Sequence, residues 1–145
     1  MYRSESIARV LCERNAALYC RVASKDDVAA QWQEQTLRSF AGGQGFTNVS
    51  VYTDNGYSGL GLARPALNRL DRDIAAGLID TVIVTELSRI SRNYFELHEW
   101  INRIRSNEAS LISVEDGITN DHFEKKDLLF HVYVKYLEGL NNQPA

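Results

Sequence analysis

Apolar and polar residues alternate along this chain in blocks of two kinds. Short runs at about 16–22, 48–52, 81–85 and 110–114 are rich in branched and aromatic side chains. Such runs read as strands, the first and third covered on both faces. Between them, apolar residues recur at helical spacing: Ala30, Leu37, Phe40 and Ala41, then Leu67, Leu70 and Ile74, then Tyr94, Leu97, Ile101 and Ile104. The first of these helices is expected over about 26–41, with acidic residues in its first turn and Gly42-Gly43 as its stop. The second starts at Arg64-Pro65, proline suiting the first helical position, and is capped by Gly77. Strands alternating with helices predict an α/β fold: a mostly parallel sheet with helices on both faces.

The last stretch differs. From about 122 to 140, Leu128, Leu129, Phe130, Val132, Tyr133, Val134, Tyr136, Leu137 and Leu140 surround most of a helix. A surface helix needs one apolar stripe, so this one is covered on several sides. Two readings fit: a central core helix, or a helix packed on its own domain and on a partner subunit, the reading preferred here. Residues 1–15 either form a short amphipathic helix through Ile7, Val10 and Leu11 or stay frayed.

Composition narrows the function. With 145 residues, the chain is read as one domain with its own core. Its formal charge of −3 gives no global positive field to draw it to DNA or a membrane, so any nucleic-acid contact must be local. Cys12 and Cys20 are the two cysteines, read as reduced thiols of a cytoplasmic protein. No apolar run reaches the ~20 residues of a membrane span, and residues 1–15 lack the apolar core of a signal peptide.

In parallel sheets, functional groups gather beyond the carboxyl ends of the strands. That edge receives Arg21, the polar loop 54–61, Arg64, Arg89 with Arg92, and Glu115-Asp116. If 86–92 enters a helix, Arg89 and Arg92 share a face. Planar bidentate donors suit phosphate, above all one gaining charge in a transition state. The plainer alternative pairs these arginines with Asp54, Glu86, Glu115 and Asp116. Gln33, within the stripe of the first helix, is either a satisfied core amide or a polar group aimed at the site. Gly59 and Gly61 form a G-x-G, but Arg64 stands where a dinucleotide fingerprint needs its third glycine. A phospho-receiver domain would need carboxylates at the end of strand one to hold a metal, and this strand ends in Arg21.

Tyr19-Cys20-Arg21-Val22, Gln33 with Leu37, Asp54-Asn55-Gly56-Tyr57-Ser58-Gly59, Arg64-Pro65-Ala66-Leu67 and Leu87-Ser88-Arg89-Ile90-Ser91-Arg92 together resemble the catalytic domain of serine site-specific recombinases, the resolvase/invertase family. The resemblance implies DNA recombination or integration by mobile-element enzymes: a serine attacks a phosphodiester, becomes a 5′-phosphoserine and is released on resealing, within a tetramer assembled from dimers. It implies no metal and no nucleotide cofactor, with DNA as partner. Arg21, Arg64, Arg89 and Arg92 match the family's active-site arginines, and Gln33 a residue that helps place the active-site loop. Ser88 stands where many small members have aspartate, and a serine there is familiar among the large members.

Two departures qualify this. The family's nucleophile lies two residues after the first arginine, and here that residue is Ala23. Ser24 is next in line, and enzyme activity depends on whether it replaces the missing serine. Strand alternation argues against a simple swap, whereas a loop beyond the strand permits a one-residue shift. Without such a shift, Ala23 marks a natural loss of activity or an engineered change. A catalytically inactive, recombinase-like protein acting through oligomerisation or DNA association is therefore the alternative. The second departure is the family's DNA-binding module, expected to be absent from this chain. The expected organisation is an extension at 1–15, a resolvase-like catalytic domain at 16–120 and an oligomerisation helix at 121–145.

Overall fold

The structure, a computed structural model, describes residues 14–118 together with residues 134 and 137. The N-terminal extension and the last helix of the sequence reading lie outside the described residues, apart from those two positions.

Four strands, β1 (Asn15–Val22), β2 (Asn48–Asn55), β3 (Thr81–Val84) and β4 (Ser110–Ser113), form a parallel sheet in the order β2-β1-β3-β4. Helices α1 (Asp27–Gln44), α2 (Pro65–Ala75) and α3 (Tyr94–Ser106) connect them, and a single 3-10 turn, Leu87–Arg89, follows β3. The alternation of β1 sorts the core into two layers. Ala16, Leu18 and Cys20 pack with Leu37 and Ala41 of α1. Ala17 and Tyr19 pack with Leu67, Leu70 and Ile74 of α2 and with Leu97, Trp100, Ile101 and Ile104 of α3. The expected sheet with helices on both faces is what forms.

Two boundaries differ from the sequence reading. β2 does not end at Tyr52. Thr53, Asp54 and Asn55 read as turn formers, yet they stay in register with Cys20, Arg21 and Val22. The ladder to β1 outweighs their local preference, which puts Asp54 in the sheet, opposite Arg21. Helix α1 likewise runs through Gly42-Gly43 to Gln44. Its stop is Gly45 at φ 96°, the left-handed conformation that an αL cap requires, with its N–H turned back to the carbonyls of Ala41 and Gly42.

Candidate active site

The carboxyl edge of the sheet begins where β1 runs out of β3. The β1–β3 ladder ends at Leu18↔Ile83, so the Arg21 backbone has no strand on that side. Gln33 of α1 takes the strand's place. Its Oε1 accepts from Arg21 N at 3.1 Å and its Nε2 donates to Arg21 O at 2.9 Å. Both readings of Gln33 thus meet in one residue: it is a buried, satisfied amide, and it holds the end of β1.

Arg21 is 1% exposed and donates to three carbonyls: Arg89 O at 3.0 Å from Nε, Tyr57 O at 3.1 Å and Ser88 O at 2.8 Å. Burial pulls its pKa down to about 10, helped by the neighbouring positive charges of Arg64, Arg89 and Arg92. It is still a cation at neutral pH, and the other arginines are close enough to be felt. Arg64, also buried, uses all five of its N–H groups. Nε and Nη2 donate to Gly61 O, Nη1 to Tyr19 Oη at 3.0 Å and Arg89 O at 2.9 Å, and Nη2 also to Ile90 O. These two arginines stitch the 57–61 loop and the 87–90 turn to the end of the sheet.

A buried carboxylate completes the stitching. Asp54 accepts from Tyr19 Oη at 2.7 Å and from the first amides of α2, Ala66 N at 2.8 Å and Leu67 N at 3.0 Å. Arg64, at the N-cap of α2, offers no side-chain cap, so Asp54 of the neighbouring strand does that work. Burial and the Asp54 carboxylate push the Tyr19 phenol well above its ordinary value, so it stays protonated.

The outer pair differs. Arg89 is half-buried: Nη2 meets Glu86 Oε1 at 2.8 Å, Nη1 donates to Arg21 O at 3.1 Å, and Nε is buried without a protein acceptor. Arg92 is exposed, with its backbone N–H on Gly59 O at 2.9 Å. The 86–92 segment, where a helix would have put Arg89 and Arg92 on one face, forms only the short 3-10 turn, since Arg21 and Arg64 claim the carbonyls of Ser88, Arg89 and Ile90. Of the carboxylates in the plainer reading, Glu86 forms an ion pair, with Arg89. Asp116 instead accepts from Leu87 N and Ser113 Oγ. Glu115 titrates above its usual range through burial and the charges of Glu86 and Asp116.

Ser24 and Ala23 are both exposed and lie past the end of β1. Strand alternation therefore does not govern which way Ser24 points. The 23–26 segment is held at each end by the last residue of β2 and the two that follow it. Val22 O accepts from Gly56 N at 2.7 Å and Tyr57 N at 3.0 Å, while Asn55 Oδ1 accepts from Asp26 N at 2.9 Å. Asp26 then caps α1 through Ala29 N. Beside this segment a cavity of about 380 Å³ opens between α1 and the sheet edge, its lining shared by Asp26, Trp32, Glu86, Arg89 and Glu115.

Sequence reading gave Tyr19 no place at this edge, and it took Asp54 for a loop residue or an arginine's partner when it is a helix cap. One signal was available. Tyr19 lies two residues before Arg21 on the same side of β1, and Asp54 lies two residues after Tyr52 on β2, in register with Arg21.

The family model for the resolvase N-terminal domain matches residues 16–137. The chain belongs to the resolvase family. Its resolvase-like fold is shared with solved serine recombinase domains. The N-terminal catalytic domain of TP901-1 integrase is 28% identical, covers 88% of this chain and 96% of its own, and superposes with a TM-score of 0.73. A resolvase family site-specific recombinase from Streptococcus pneumoniae is 26% identical over 89% of this chain and 90% of its own, with a TM-score of 0.69. Among curated relatives, the transposon Tn552 DNA-invertase BinR of Staphylococcus aureus is 32% identical over 93 residues, which are 63% of this chain and 47% of the invertase. This resolvase-family chain spans 21% of the length of one curated relative and 65% of another. Among the described residues, no helix is long and apolar enough to cross a membrane.

Proposed function

We propose that this chain is the catalytic part of a site-specific DNA recombinase and that the arginine edge receives the scissile phosphate. The observation that carries this is the concentration of four mutually repelling guanidinium groups at one sheet end, where Glu86 bridges to Arg89. Such an arrangement is costly unless an anion joins it. A phosphate gaining charge in a pentacovalent transition state meets that need without a metal or nucleotide.

Within this reading Ser24 is the nucleophile. Its Oγ forms a bond to phosphorus as the bond from phosphorus to the 3′ oxygen breaks. The serine hydroxyl gives up a proton, the leaving 3′ oxygen ends as a hydroxyl, and no electrons are gained or lost. Attack of that hydroxyl on the 5′-phosphoserine reverses the step and reseals the strand. Arg89 and Arg92 meet the phosphate, Arg21 lends its charge from behind, and Arg64 and Gln33 hold the edge in shape. The working unit is a dimer that doubles to a tetramer on DNA.

Ala23 favours a second reading, in which the domain keeps the phosphate site but performs no cleavage. The test fuses the chain to a DNA-binding module of known site and offers a nicked substrate that traps the cut intermediate. Mass spectrometry then looks for a covalent adduct in the parent, in Ala23→Ser and in Ser24→Ala. An adduct in the parent that Ser24→Ala abolishes establishes the enzyme. An adduct only after Ala23→Ser establishes an intact site lacking its nucleophile. None in any of them overturns catalysis.

A further inference from the structure

In the strand order β2-β1-β3-β4 the chain leaves β1 towards one edge of the sheet and β3 towards the other. Open parallel sheets take ligands in the crevice outside the carboxyl ends of the two strands where the order reverses. The cavity of about 380 Å³ between α1 and the sheet edge lies at that switch point. Its most buried lining residues are Gln33, which closes the end of β1, and Thr85, the residue after β3. Among the described residues, the buried side-chain polar atoms without a hydrogen-bond partner are Thr85 Oγ1 and Arg89 Nε, and both residues line this cavity. Thr85 is 3% exposed, and its carbonyl accepts from Glu115 N at 2.8 Å while its hydroxyl is left over. A buried hydroxyl and a buried N–H forfeit their bonds to water unless something joins them.

The rest of the lining says what could join them. The carboxylates of Asp26, Glu86 and Glu115 repel an anion, so the cavity is no second phosphate site. Among the described residues, no group of three or more His, Cys, Asp or Glu side chains could hold a metal ion. Trp32, 61% exposed, offers a flat aromatic wall. A planar, uncharged heterocycle meets every one of these groups. Its amino group donates to a carboxylate, and its ring nitrogen or keto oxygen accepts from Arg89 Nε–H or the Thr85 hydroxyl. Nucleobases with an exocyclic amino group have that combination.

We propose that this cavity is a nucleobase site: it receives an unstacked base of the DNA strand whose phosphate meets Arg89, stacked on Trp32 and bonded through its amino group to the carboxylate wall. Unstacking a base costs least where the strand is interrupted, which is the state that strand cleavage creates. The placement on DNA rests on the phosphate reading above; the affinity for the base does not.

The test follows the indole N–H resonances of the purified parent chain by NMR as deoxycytidine is added, with thymidine, which lacks an exocyclic amino group, in parallel. The Trp32 resonance should shift and saturate with deoxycytidine. That of Trp100, buried with its N–H on Asp71, is the unmoved reference. Thymidine should bind about tenfold more weakly, by loss of a hydrogen bond to a charged group. Trp32→Ala, followed through the Thr85 methyl resonance, should weaken deoxycytidine about tenfold by loss of the stacked face. Thr85→Val keeps the shape and removes the hydroxyl, so it should bind more weakly yet melt no lower than the parent. An unmoved Trp32 resonance, equal binding of thymidine, or parental affinity in either variant would each overturn the proposal. A Thr85→Val chain that melts lower shows the hydroxyl to be satisfied already, and overturns it too. A nicked duplex with an extrahelical cytidine should move Trp32 as the nucleoside does; movement by the nucleoside alone gives the cavity to free nucleosides and overturns the assignment to DNA. Nucleosides carry no phosphate. A parent that binds deoxycytidine but not inorganic phosphate therefore sinks the phosphate reading and leaves the base site standing.

Discussion

Arg64 and Arg92 are the same residue type at the same end of the sheet, and they do different physical work. Arg64 is 2% exposed and donates all five N–H groups within the protein. Arg92 is exposed. Arg21 sides with the first and Arg89 stands between, with one edge on Glu86 and another on the Arg21 carbonyl. An inner pair spends its hydrogen bonds on loop carbonyls, giving those loops a shape. An outer pair keeps its charge where a ligand can arrive. The inner arginines are therefore part of the fold before they are part of any chemistry, and mutation should separate the two roles.

The largest effect should come from Arg64→Ala. It takes the Arg64 donors from the carbonyls of Gly61 and Ile90 and one of the partners of Tyr19 Oη and of Arg89 O, and should cost about 3–5 kcal/mol in urea unfolding. Arg64→Lys should recover little of it, since an ammonium has three donors and no planar fork. Full stability in Arg64→Lys would mean that the fork is unnecessary.

Next in size is a pH effect on the opposite face of β1. Burial raises the Cys20 thiol from its ordinary 9.0 to about 11. Between those values the folded state holds a proton that the unfolded state releases. Stability from this group is complete below pH 9 and is lost as pH rises towards 11, by about 2–3 kcal/mol in all. Cys20→Ala should flatten the pH dependence of unfolding in that window, and an unchanged slope would refute the assignment.

Gln33→Ala removes the amide that stands in for a strand and should cost about 1–2 kcal/mol. Faster hydrogen exchange at Arg21 N should accompany it, with little change at Leu18. Smallest in stability is Arg92→Ala, which should stay within about 0.5 kcal/mol of the parent while weakening phosphate binding. Equal stability losses for Arg64→Ala and Arg92→Ala would erase the distinction between inner and outer arginines.

The sequence made the sheet legible because β1, β3 and β4 are covered strands whose side chains announce their burial. The polar end of β2 did not announce itself. Thr53-Asp54-Asn55 looks like a turn until a neighbouring strand is there to pair with it. The same limit applied to the edge. Spacing brought Arg21, Arg64, Arg89 and Arg92 to one edge, where the structure has them or close by, and it left Gln33 open between a core amide and a group aimed at the site. What spacing could not divide is which arginines face inward, because their acceptors are carbonyls of loops that meet only in three dimensions. Gly59 was visible as half of a weak nucleotide motif, and only the structure shows how closely it lies against Arg21 and Arg92.

The 23–26 segment is held at both ends where β2 gives way to its loop, through the Val22 carbonyl on Gly56 and Tyr57 and through Asp26 N on Asn55. Mechanically it is a short strap with both buckles on one post. It cannot swing independently of the start of the 56–63 loop, whose Gly56 and Tyr57 amides are one of those buckles. On the proposed reading, a pull on that loop from bound DNA is transmitted to Ser24 as displacement of the whole strap. On the same reading, the timing of attack by Ser24 is set by the stiffness of a strand end rather than by the freedom of a serine side chain.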